Sequence, residues 1–294
     1  MRWMKRLRIF SAANAGLEEF KLKARYITAV VAIALFILLL FFLPPLCLTI
    51  MMGFLCAVGV WELLFATGSC PKHFFLWFSC AAAFAVPFTV SKPNAGLFPF
   101  LAVAALYLIG AFCCAVFDHT KITYAALAKG FLAALVMPLL FASVLRIYNS
   151  EYGRLLVLMP WVTVWACDSM ALYVGKAMGK KKLAPYVSPH KTVAGAVGGE
   201  IGGVLFMAAY VLVLRKFFSF SLAWMPALLF GLFGAAVGQI GDLSLSVIKR
   251  EAGIKDYGKL FPGHGGVWDR FDSILFVAPM FELLYLHILP LIGA

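Results

Sequence analysis

Long stretches without any charged residue constrain this chain more than any other feature. Residues 27–43 and 97–117 contain no Asp, Glu, Lys or Arg, and 64% of the whole chain is hydrophobic. An α-helix of about 20 apolar residues crosses the ~30 Å hydrocarbon core of a bilayer. A soluble fold of 294 residues would have to expose much of this surface to water. The sequence therefore predicts an all-α, polytopic integral membrane protein.

The apolar pattern divides the chain into about nine transmembrane helices. Pro44-Pro45 and the polar residues 149–153 mark two of the turns between them. The first 26 residues are basic and lack a short apolar core followed by a cleavage site, so we interpret 1–26 as a cytoplasmic segment and not as a signal peptide. We expect residues 27–294 to form a single transmembrane domain, with spans at about 27–43, 46–67, 74–90, 97–117, 124–147, 154–175, 194–214, 222–247 and 271–291.

The distribution of Lys and Arg predicts the orientation of these spans. If the N-terminus is cytoplasmic, 19 of the 25 Lys and Arg residues lie on the cytoplasmic side and 5 lie outside, with Lys129 inside a span. Cytoplasmic loops of membrane proteins carry such an excess of positive charge. The two longest polar connections, about 176–193 and 248–270, then face the cytoplasm. Chemistry on a cytosolic nucleotide would take place there.

The net charge of +12 does not indicate a nucleic-acid-binding protein. The basic residues lie between apolar spans, where they fix topology and face anionic lipid or phosphorylated ligands. No nucleic-acid partner is therefore expected. The seven cysteines lie mostly within apolar spans and lack metal-ligand spacing, so we interpret them as small apolar residues of membrane helices.

Acidic residues are scarce but concentrated near the C-terminus. The chain has six aspartates, four of which are Asp242, Asp256, Asp269 and Asp272. On a helix, Ser246 shares a face with Asp242, and Asp269 shares a face with Asp272. Ionisable groups near a membrane are costly unless they are paired, hydrated or bound to a cation. Because oxygen ligands together with water and substrate phosphates suit Mg²⁺, the pattern predicts a metal site built by two helix ends.

A glycine-rich segment and several bases lie between these aspartates. Pro262-Gly-His264-Gly265-Gly266 precedes the last predicted span, and glycine allows a backbone to approach a ligand closely. Free N–H groups at the following helix start attract anions. The surrounding cations are Lys249, Arg250, Lys255, Lys259 and Arg270. Carboxylates, glycines and cations together are the groups that phosphoryl or nucleotidyl transfer needs, although each alone is typical of a turn, a helix cap or a positive-inside loop.

The whole string from Ser246 to Asp272 resembles a known family motif. It reads S-x2-K-R-x4-K-D-x5-P-G-H-G-G-x2-D-R-x-D and is closely similar to the motif that defines phosphatidate cytidylyltransferases, also called CDP-diacylglycerol synthases. The string covers about a tenth of the chain and is much longer than motifs that arise by chance. The chain length and the predicted number of spans also fit this family.

A second segment is similar to the other polar stretch of this family. Asp168-Ser-Met-Ala-Leu-Tyr-Val-Gly175 is followed by Ser188-Pro-His-Lys-Thr192, where family members commonly read D-x2-A-Y-x2-G and then S-P-K-K-T-x-E-G. This chain departs from the pattern at Leu172, at His190 in place of Lys, and at Ala194 in place of Glu. The roles of individual residues in this segment are therefore less defined, and Asp168 fits a functional and a structural role equally well.

The resemblance implies that the domain 27–294 is catalytic and that CTP and phosphatidic acid give CDP-diacylglycerol and pyrophosphate. The metal ligands that it implies are Asp242 and Asp269, with Asp272 and Asp256 as further candidates. Lys249, Arg250 and Arg270 would neutralise phosphate charge beside the two catalytic aspartates. The substrate-binding residues that it implies are Ser246, Lys255, His264, Gly265, Gly266, Ser188, Lys191 and Thr192.

The resemblance also implies a cofactor and a location. The cofactor would be Mg²⁺, with Mn²⁺ as an alternative and a monovalent cation such as K⁺ at a second site. The protein would lie among the lipids of a bacterial inner membrane, with its active site facing the cytoplasm.

The small residues from Gly195 to Gly203 predict close helix packing, which could include a homodimer contact. Glu62, Glu200 and Glu282 are expected to be structural groups facing the bundle interior.

Two other functions remain open at this stage. A lipid kinase that uses CTP or ATP would share the metal carboxylates and bases but would release a nucleoside diphosphate. A membrane transporter is compatible with nine spans, although transporters tend to place ionisable residues near the membrane midplane and to contain internal repeats. A CDP-alcohol phosphotransferase is disfavoured because its D-G-x2-A-R-x8-G-x3-D-x3-D pattern is absent.

Overall fold

The computed structural model describes residues 30–31, 33–69, 74–92, 94, 96–218, 220, 223–261 and 264–289. The predicted N-terminal segment 1–26 lies outside these residues. Residues 30–31 and 33–41 are helical. The described helices that follow are α1 (Pro45–Ala66), α2 (Phe74–Thr89), α3 (Phe98–Phe117), α4 (Tyr124–Tyr148), α5 (Gly153–Met178), α6 (Val193–Phe218), α7 (Trp224–Glu251) and α8 (Trp268–Ile288).

The helices have the length and composition of membrane spans. Among the described residues, seven helices are long and apolar enough to cross a membrane, and α2 is a shorter apolar helix of 16 residues. The prediction of an all-α, polytopic membrane protein is confirmed. The count of nine spans and the cytoplasmic N-terminus stay predictions. Several helices extend beyond their predicted spans; among them, α7 continues to Glu251 and α8 begins at Trp268.

Glycines allow α5 and α6 to pack closely. A Cβ added at Gly198 would lie 2.6 Å from the Cβ of Val174, and one added at Gly202 would lie 2.5 Å from the Cγ of Met170. Real Cβ atoms do not approach so closely, so only glycine fits at these positions. The close packing predicted for residues 195–203 is confirmed, and these two glycines face α5 of the same chain.

An ion pair inside the apolar region connects α4 with α8. Arg146 Nε donates to Glu282 Oε1 at 2.5 Å, and Arg146 Nη2 donates to Glu282 Oε2 at 2.8 Å. The Ser143 hydroxyl accepts a further hydrogen bond from Arg146 at 2.9 Å. Charges within a bundle are tolerated where they pair in this way. The interior position predicted for Glu282 is confirmed, and its partner is an arginine.

An antiparallel hairpin separates α5 from α6. Strand β1 (Lys182–Ala184) pairs with β2 (Ser188–Thr192), so that Lys182 lies opposite Thr192. The Thr192 hydroxyl accepts a hydrogen bond from Gly195 N at 3.1 Å and caps the first turn of α6. The sequence predicted only a polar connection here. The hairpin gives Lys191 a defined position beside the ends of α5 and α6.

Trp268 anchors the start of α8 in the core. Its side chain is fully buried, and its indole fills the space beside Gly59 of α1, where an added Cβ would lie 2.5 Å from the ring. The ring of Phe141 meets the indole edge-to-face, with 5.8 Å between centroids. The first turn of α8, which carries Asp269 and Arg270, is therefore held in a fixed position against α1 and α4.

Candidate active site

A cavity of 460 Å³ lies where α5, α7 and α8 meet. Its polar lining consists of Asp168, Asp242, Lys249, His264, Asp269, Arg270 and Asp272. Its apolar lining consists of Ile33, Trp161, Val164, Trp165, Phe261, Phe271 and Ile274. The cavity therefore combines charged groups from three helices with an apolar wall, which suits a ligand that has a charged head and a hydrocarbon part.

Asp242 connects α7 with the hairpin. Lys191 Nζ lies 2.6 Å from Asp242 Oδ2, and the Ser246 hydroxyl donates to Asp242 Oδ1 at 3.3 Å. Both partners of the ion pair keep about a quarter of their side chains exposed, 25% for Lys191 and 28% for Asp242. The shared helix face predicted for Asp242 and Ser246 is confirmed. Because the ion pair is reachable from the cavity, a ligand can compete for either charge.

Three carboxylates interact across the cavity. Asp168 interacts electrostatically with Asp242, Lys191 and Arg270, and Asp272 interacts with both Asp242 and Asp168. Asp272 Oδ1 also accepts a hydrogen bond from Ser273 N at 2.8 Å. Like charges at such sites repel one another, and a cation relieves that repulsion. The set thus brings Asp168, which the sequence left open, together with two of the predicted metal ligands.

These residues fit a divalent cation that is completed by substrate and water. The described part of the chain contains no group of three or more His, Cys, Asp or Glu side chains that could by itself hold a metal ion. Mg²⁺ usually binds one or two protein carboxylates together with substrate phosphates and several waters. Asp242, with Asp272 and Asp168 as its neighbours, supplies oxygen donors of this kind at the cavity wall.

Asp269 occupies a different environment from the other aspartates. Lys249 Nζ donates to Asp269 Oδ1 at 2.8 Å, while Tyr257 N and Gly266 N donate to Oδ2 at 2.8 and 2.9 Å. The Asp269 side chain is 2% exposed and that of Lys249 is 10% exposed. Both carboxylate oxygens thus accept hydrogen bonds from groups of the protein, and the role of Asp269 as a metal ligand stays a prediction. Asp269 also holds residues 257–261 and 264–267, here called the Gly-rich loop.

The backbone of the Gly-rich loop differs from the predicted anion site. The sequence predicted free N–H groups before the last helix, but Gly266 N donates to Asp269 and Val267 N donates to Glu62 Oε2 at 2.6 Å. The prediction is wrong for these two amides, because side chains of the protein itself already fill the anion position. Gly265 has a φ of +87°, a conformation that favours glycine, and its carbonyl accepts from Phe261 N at 2.9 Å.

Tyr257 closes the other end of this loop. Its hydroxyl donates to the Leu245 carbonyl at 2.9 Å, and Lys249 Nζ lies 5.6 Å from the centroid of its ring. Burial raises the pKa of Tyr257, and the nearby carboxylates of Asp269 and Asp272 raise it further. The phenol therefore stays neutral and acts as a hydrogen-bond donor that ties the loop to α7.

A second cavity of 550 Å³ lies between the hairpin and the ends of α5 and α6. The basic side chains of its lining are Lys176, Lys182, His190 and Lys191, and Thr192 lies beside them. Asp168 lines both cavities, and the Lys191–Asp242 ion pair also connects them. The two predicted polar segments therefore meet at one site, as the similarity to the family implied.

The structure places the remaining predicted residues on two sides of this site. His264 and Arg270 line the first cavity. Arg250 instead donates to the carbonyls of Val187 and Ile254, at 3.1 and 3.0 Å, and so joins the hairpin to the turn after α7. Lys255 and Asp256 are exposed, and neither lines either cavity. Ser188 does not line them either. The predicted contacts of these four residues with metal or substrate stay predictions.

Comparison with known proteins agrees with this site. The sequence profile of the Cytidylyltransferase family matches residues 23–288 and thus includes every cavity-lining residue. The chain belongs to the cytidylyltransferase family. It is similar to the phosphatidate cytidylyltransferase of Haemophilus influenzae, with 30% identity over 299 aligned residues that cover 91% of this chain and 100% of that protein.

Other cytidylyltransferases match over a shorter stretch. The phosphatidate cytidylyltransferase of Bacillus subtilis is 40% identical over 154 residues, which are 52% of this chain and 56% of that protein. That of Staphylococcus saprophyticus is 42% identical over 132 residues, 45% of this chain and 49% of that protein. The chain thus spans about half the length of these two relatives. The predicted resemblance to phosphatidate cytidylyltransferases is confirmed.

Two residues at this site had only weak signals in the sequence. Asp168 lies 74 positions before Asp242, so that only the fold brings the two carboxylates together. Glu62 lies in the first part of the chain within α1 and reaches the Gly-rich loop 205 residues later. The one signal for Glu62 was its position as an ionisable residue within an apolar span, which makes a residue a candidate for function by default.

Proposed function

We propose that this chain transfers the cytidylyl group of CTP to phosphatidic acid and forms CDP-diacylglycerol and pyrophosphate. The observation that supports this most directly is the single cavity in which Asp242, Asp168, Asp272 and Arg270 face an apolar wall. A lipid phosphate needs both environments, because its head is anionic and its chains are apolar. Membership of the cytidylyltransferase family supports the nucleotide half of the reaction.

The reaction needs alignment and charge neutralisation more than a strong base. An oxygen of the lipid phosphate attacks the α-phosphorus of CTP, a new P–O bond forms, and the bond from that phosphorus to the bridging oxygen of the β-phosphate breaks. Pyrophosphate leaves with the electron pair. The attacking phosphate oxygen is already anionic, so the barrier arises largely from repulsion between two polyanions and from their poor alignment.

The charged residues of the two cavities match these requirements. Arg270 and Lys191 present cations at the first cavity and at the boundary between the two, where phosphate charge would gather. Lys176, Lys182 and His190 extend this positive surface along the second cavity. Cations fixed in advance of the reaction stabilise developing charge without reorganisation. We therefore assign the triphosphate of CTP to the basic side and the lipid phosphate to the apolar side.

The carboxylates would hold the metal that this reaction class uses. Asp242, with Asp272 and Asp168, would bind Mg²⁺, or Mn²⁺ in its place, and the ion would polarise the phosphoryl oxygens and offset their charge. Asp242 must release Lys191 to do so, which leaves the Lys191 ammonium available for a phosphate oxygen. Lys249, held by Asp269, keeps α7 and α8 in register around these groups.

The apolar wall gives the lipid a path from the bilayer. Trp161, Trp165 and Ile33 lie on this wall, and Trp165 is 47% exposed. Aromatic residues favour the membrane interface, where headgroups lie. Together with the excess of Lys and Arg on one side, this supports a bacterial inner membrane location with the site at its cytoplasmic face. A homodimer and a K⁺ site remain further parts of the proposal.

Radiolabelled CTP tests the reaction directly. Purified protein in detergent micelles with phosphatidic acid and Mg²⁺ is expected to transfer label from [α-³²P]CTP to the lipid, and none from [γ-³²P]CTP. Transfer of the γ-label would indicate a lipid kinase instead. Solute flux in proteoliposomes without any lipid product would indicate a transporter. The variants Asp242→Asn and Asp269→Asn are expected to insert into membranes and to lose turnover.

A further inference from the structure

Glu62 is a buried carboxylate to which the proposed reaction assigns no role. It lies on α1 and is 2% exposed. The sequence predicted a structural group facing the bundle interior, and the hydrogen bonds that Glu62 makes are to backbone N–H groups. Val267 N donates to its Oε2 at 2.6 Å, and the N–H of Leu260 also hydrogen-bonds to the carboxylate. Both donors belong to the Gly-rich loop.

The loop backbone lies directly against this side chain. A Cβ added at Gly258 or at Gly266 would overlap the carboxylate of Glu62. Gly258 thus lies against Oε1 and Gly266 against Oε2 of Glu62. Leu260 follows Gly258 by two residues, and Val267 directly follows Gly266. The contact requires both the acceptor oxygens of Glu62 and the absence of side chains at these two loop positions.

A second carboxylate holds the same loop from α8. Asp269 accepts from Tyr257 N and Gly266 N at 2.8 and 2.9 Å, so the described loop residues direct four N–H groups to two carboxylates. Hydrogen bonds to an ionised acceptor are roughly twice as strong as those between neutral groups. Removing such an acceptor leaves buried N–H groups unsatisfied, which destabilises the loop locally.

We infer that Glu62 is a positioning residue for cytidylyl transfer, which fixes the Gly-rich loop so that His264 and Arg270 keep their places at the cavity. Glu62 does not line the cavity itself, and it acts through the backbone of the loop. A loop displaced by about 1 Å can cost roughly 100-fold in rate, because reacting groups lose their alignment. The activity part of this inference rests on the proposed function, whereas the contact with the loop does not.

Glu62→Gln tests the role of the two acceptor oxygens. Glutamine has nearly the same shape, so a residue that only fills space would tolerate it. One oxygen becomes an NH2 group, which cannot accept a hydrogen bond from the loop. We expect kcat to fall by about 10-fold or more, with a smaller change in the KM for CTP. We also expect faster hydrogen–deuterium exchange in the peptide that contains Leu260 and Val267, because local opening becomes easier.

Glu282→Gln is the matched control. Glu282 is also a mostly buried glutamate of a membrane helix, but its partner is Arg146, and it lines neither cavity. It is expected to lower the thermal midpoint while kcat per folded molecule and exchange in the loop peptide stay at wild-type values. Gly266→Ala, made from the loop side, is expected to reproduce the loss of kcat and the faster exchange seen for Glu62→Gln.

The outcomes separate this inference from the proposed function. Wild-type exchange in the loop peptide and wild-type kcat in Glu62→Gln would overturn the positioning role. The positioning role would also be overturned if the loss of activity in Glu62→Gln equalled the loss of folded protein. If the wild-type protein made no CDP-lipid, the proposed function would fail, yet faster loop exchange in Glu62→Gln would still support the contact with Glu62.

Discussion

Lys249 and Asp269 form a buried ion pair, with 2.8 Å between Lys249 Nζ and Asp269 Oδ1. The pair joins the last turns of α7 to the first turn of α8 across the Gly-rich loop. Asp269 also accepts two backbone hydrogen bonds from that loop, so its carboxylate is fully engaged within the protein. The pair therefore holds in place the helix ends that carry the other charged residues. Breaking the pair is expected, first of all, to lower the local stability of these helix ends.

Lys249→Met is expected to destabilise the protein strongly. The substitution leaves the buried Asp269 carboxylate without its counter-charge, and breaking a buried pair in this way costs about 3–5 kcal/mol. Chemical denaturation in detergent micelles measures the change in the free energy of unfolding. Lys121→Met is the control, because its pair with Asp118 is largely exposed, with 60% of the lysine side chain accessible, and such pairs contribute about 0–1 kcal/mol. Equal effects of the two variants would contradict the prediction.

Asp242→Asn is expected to lower kcat by about 100-fold or more, the range found when one preorganised electrostatic group is removed from an active site. The fold should persist, because asparagine can still accept a hydrogen bond from Ser246. Formation of CDP-lipid from labelled CTP measures the loss. Asp118→Asn carries the same chemical change outside the two cavities of the candidate site and should retain wild-type turnover. Wild-type activity in Asp242→Asn would exclude Asp242 from the catalytic site.

Lys191→Met is expected to change two concentration dependences in opposite directions. The ammonium of Lys191 pairs with Asp242 at 2.6 Å, so its loss removes a competitor for a divalent cation. The Mg²⁺ concentration for half-maximal activity should therefore fall. The KM for CTP should rise, because the lysine no longer neutralises phosphate. Titrations of Mg²⁺ and of CTP measure both, and unchanged Mg²⁺ dependence would show that the metal binds elsewhere.

Gly198→Ala is expected to destabilise the contact between α5 and α6. The new methyl group would lie 2.6 Å from the Cβ of Val174, and overpacking of this kind costs about 1–3 kcal/mol. Gly96→Ala is the matched control, because an added Cβ there meets nothing within 4 Å. Thermal unfolding of the two variants side by side measures the difference. If Gly198→Ala unfolded at the same temperature as Gly96→Ala, then α5 and α6 could move apart with little loss of stability.

The elements of this fold were largely predictable from the sequence. Apolar length alone located α1 to α8 to within a few residues, because lipid leaves few alternatives to a helix. The family motif identified the residues around the first cavity, with Asp242, Lys249 and Arg270 among its lining. The helices and the motif residues both depend on residues that are close together in the sequence, so they can be recognised without knowing the tertiary structure.

The distribution of roles among the aspartates was not predictable in the same way. Sequence spacing treated Asp242 and Asp269 as equivalent, whereas burial and hydrogen bonding separate them. Asp242 faces the cavity with Lys191, and Asp269 is enclosed by Lys249 and two backbone amides. Such differences depend on which neighbours the tertiary fold supplies. The contact of Glu62 with Val267 is of the same kind, since 205 residues separate the two.

That separation also affects how the fold is assembled. The Gly-rich loop before α8 finds the carboxylate that accepts its hydrogen bond on α1, so this contact can form only after the last described helix has been made. A chain that ends after α6 contains neither Asp242 nor Arg270 and lacks groups to which we assign metal and phosphate binding. Two fragments divided between α6 and α7 would each be inert, and mixing them in one bilayer would restore turnover only where the halves reassociate.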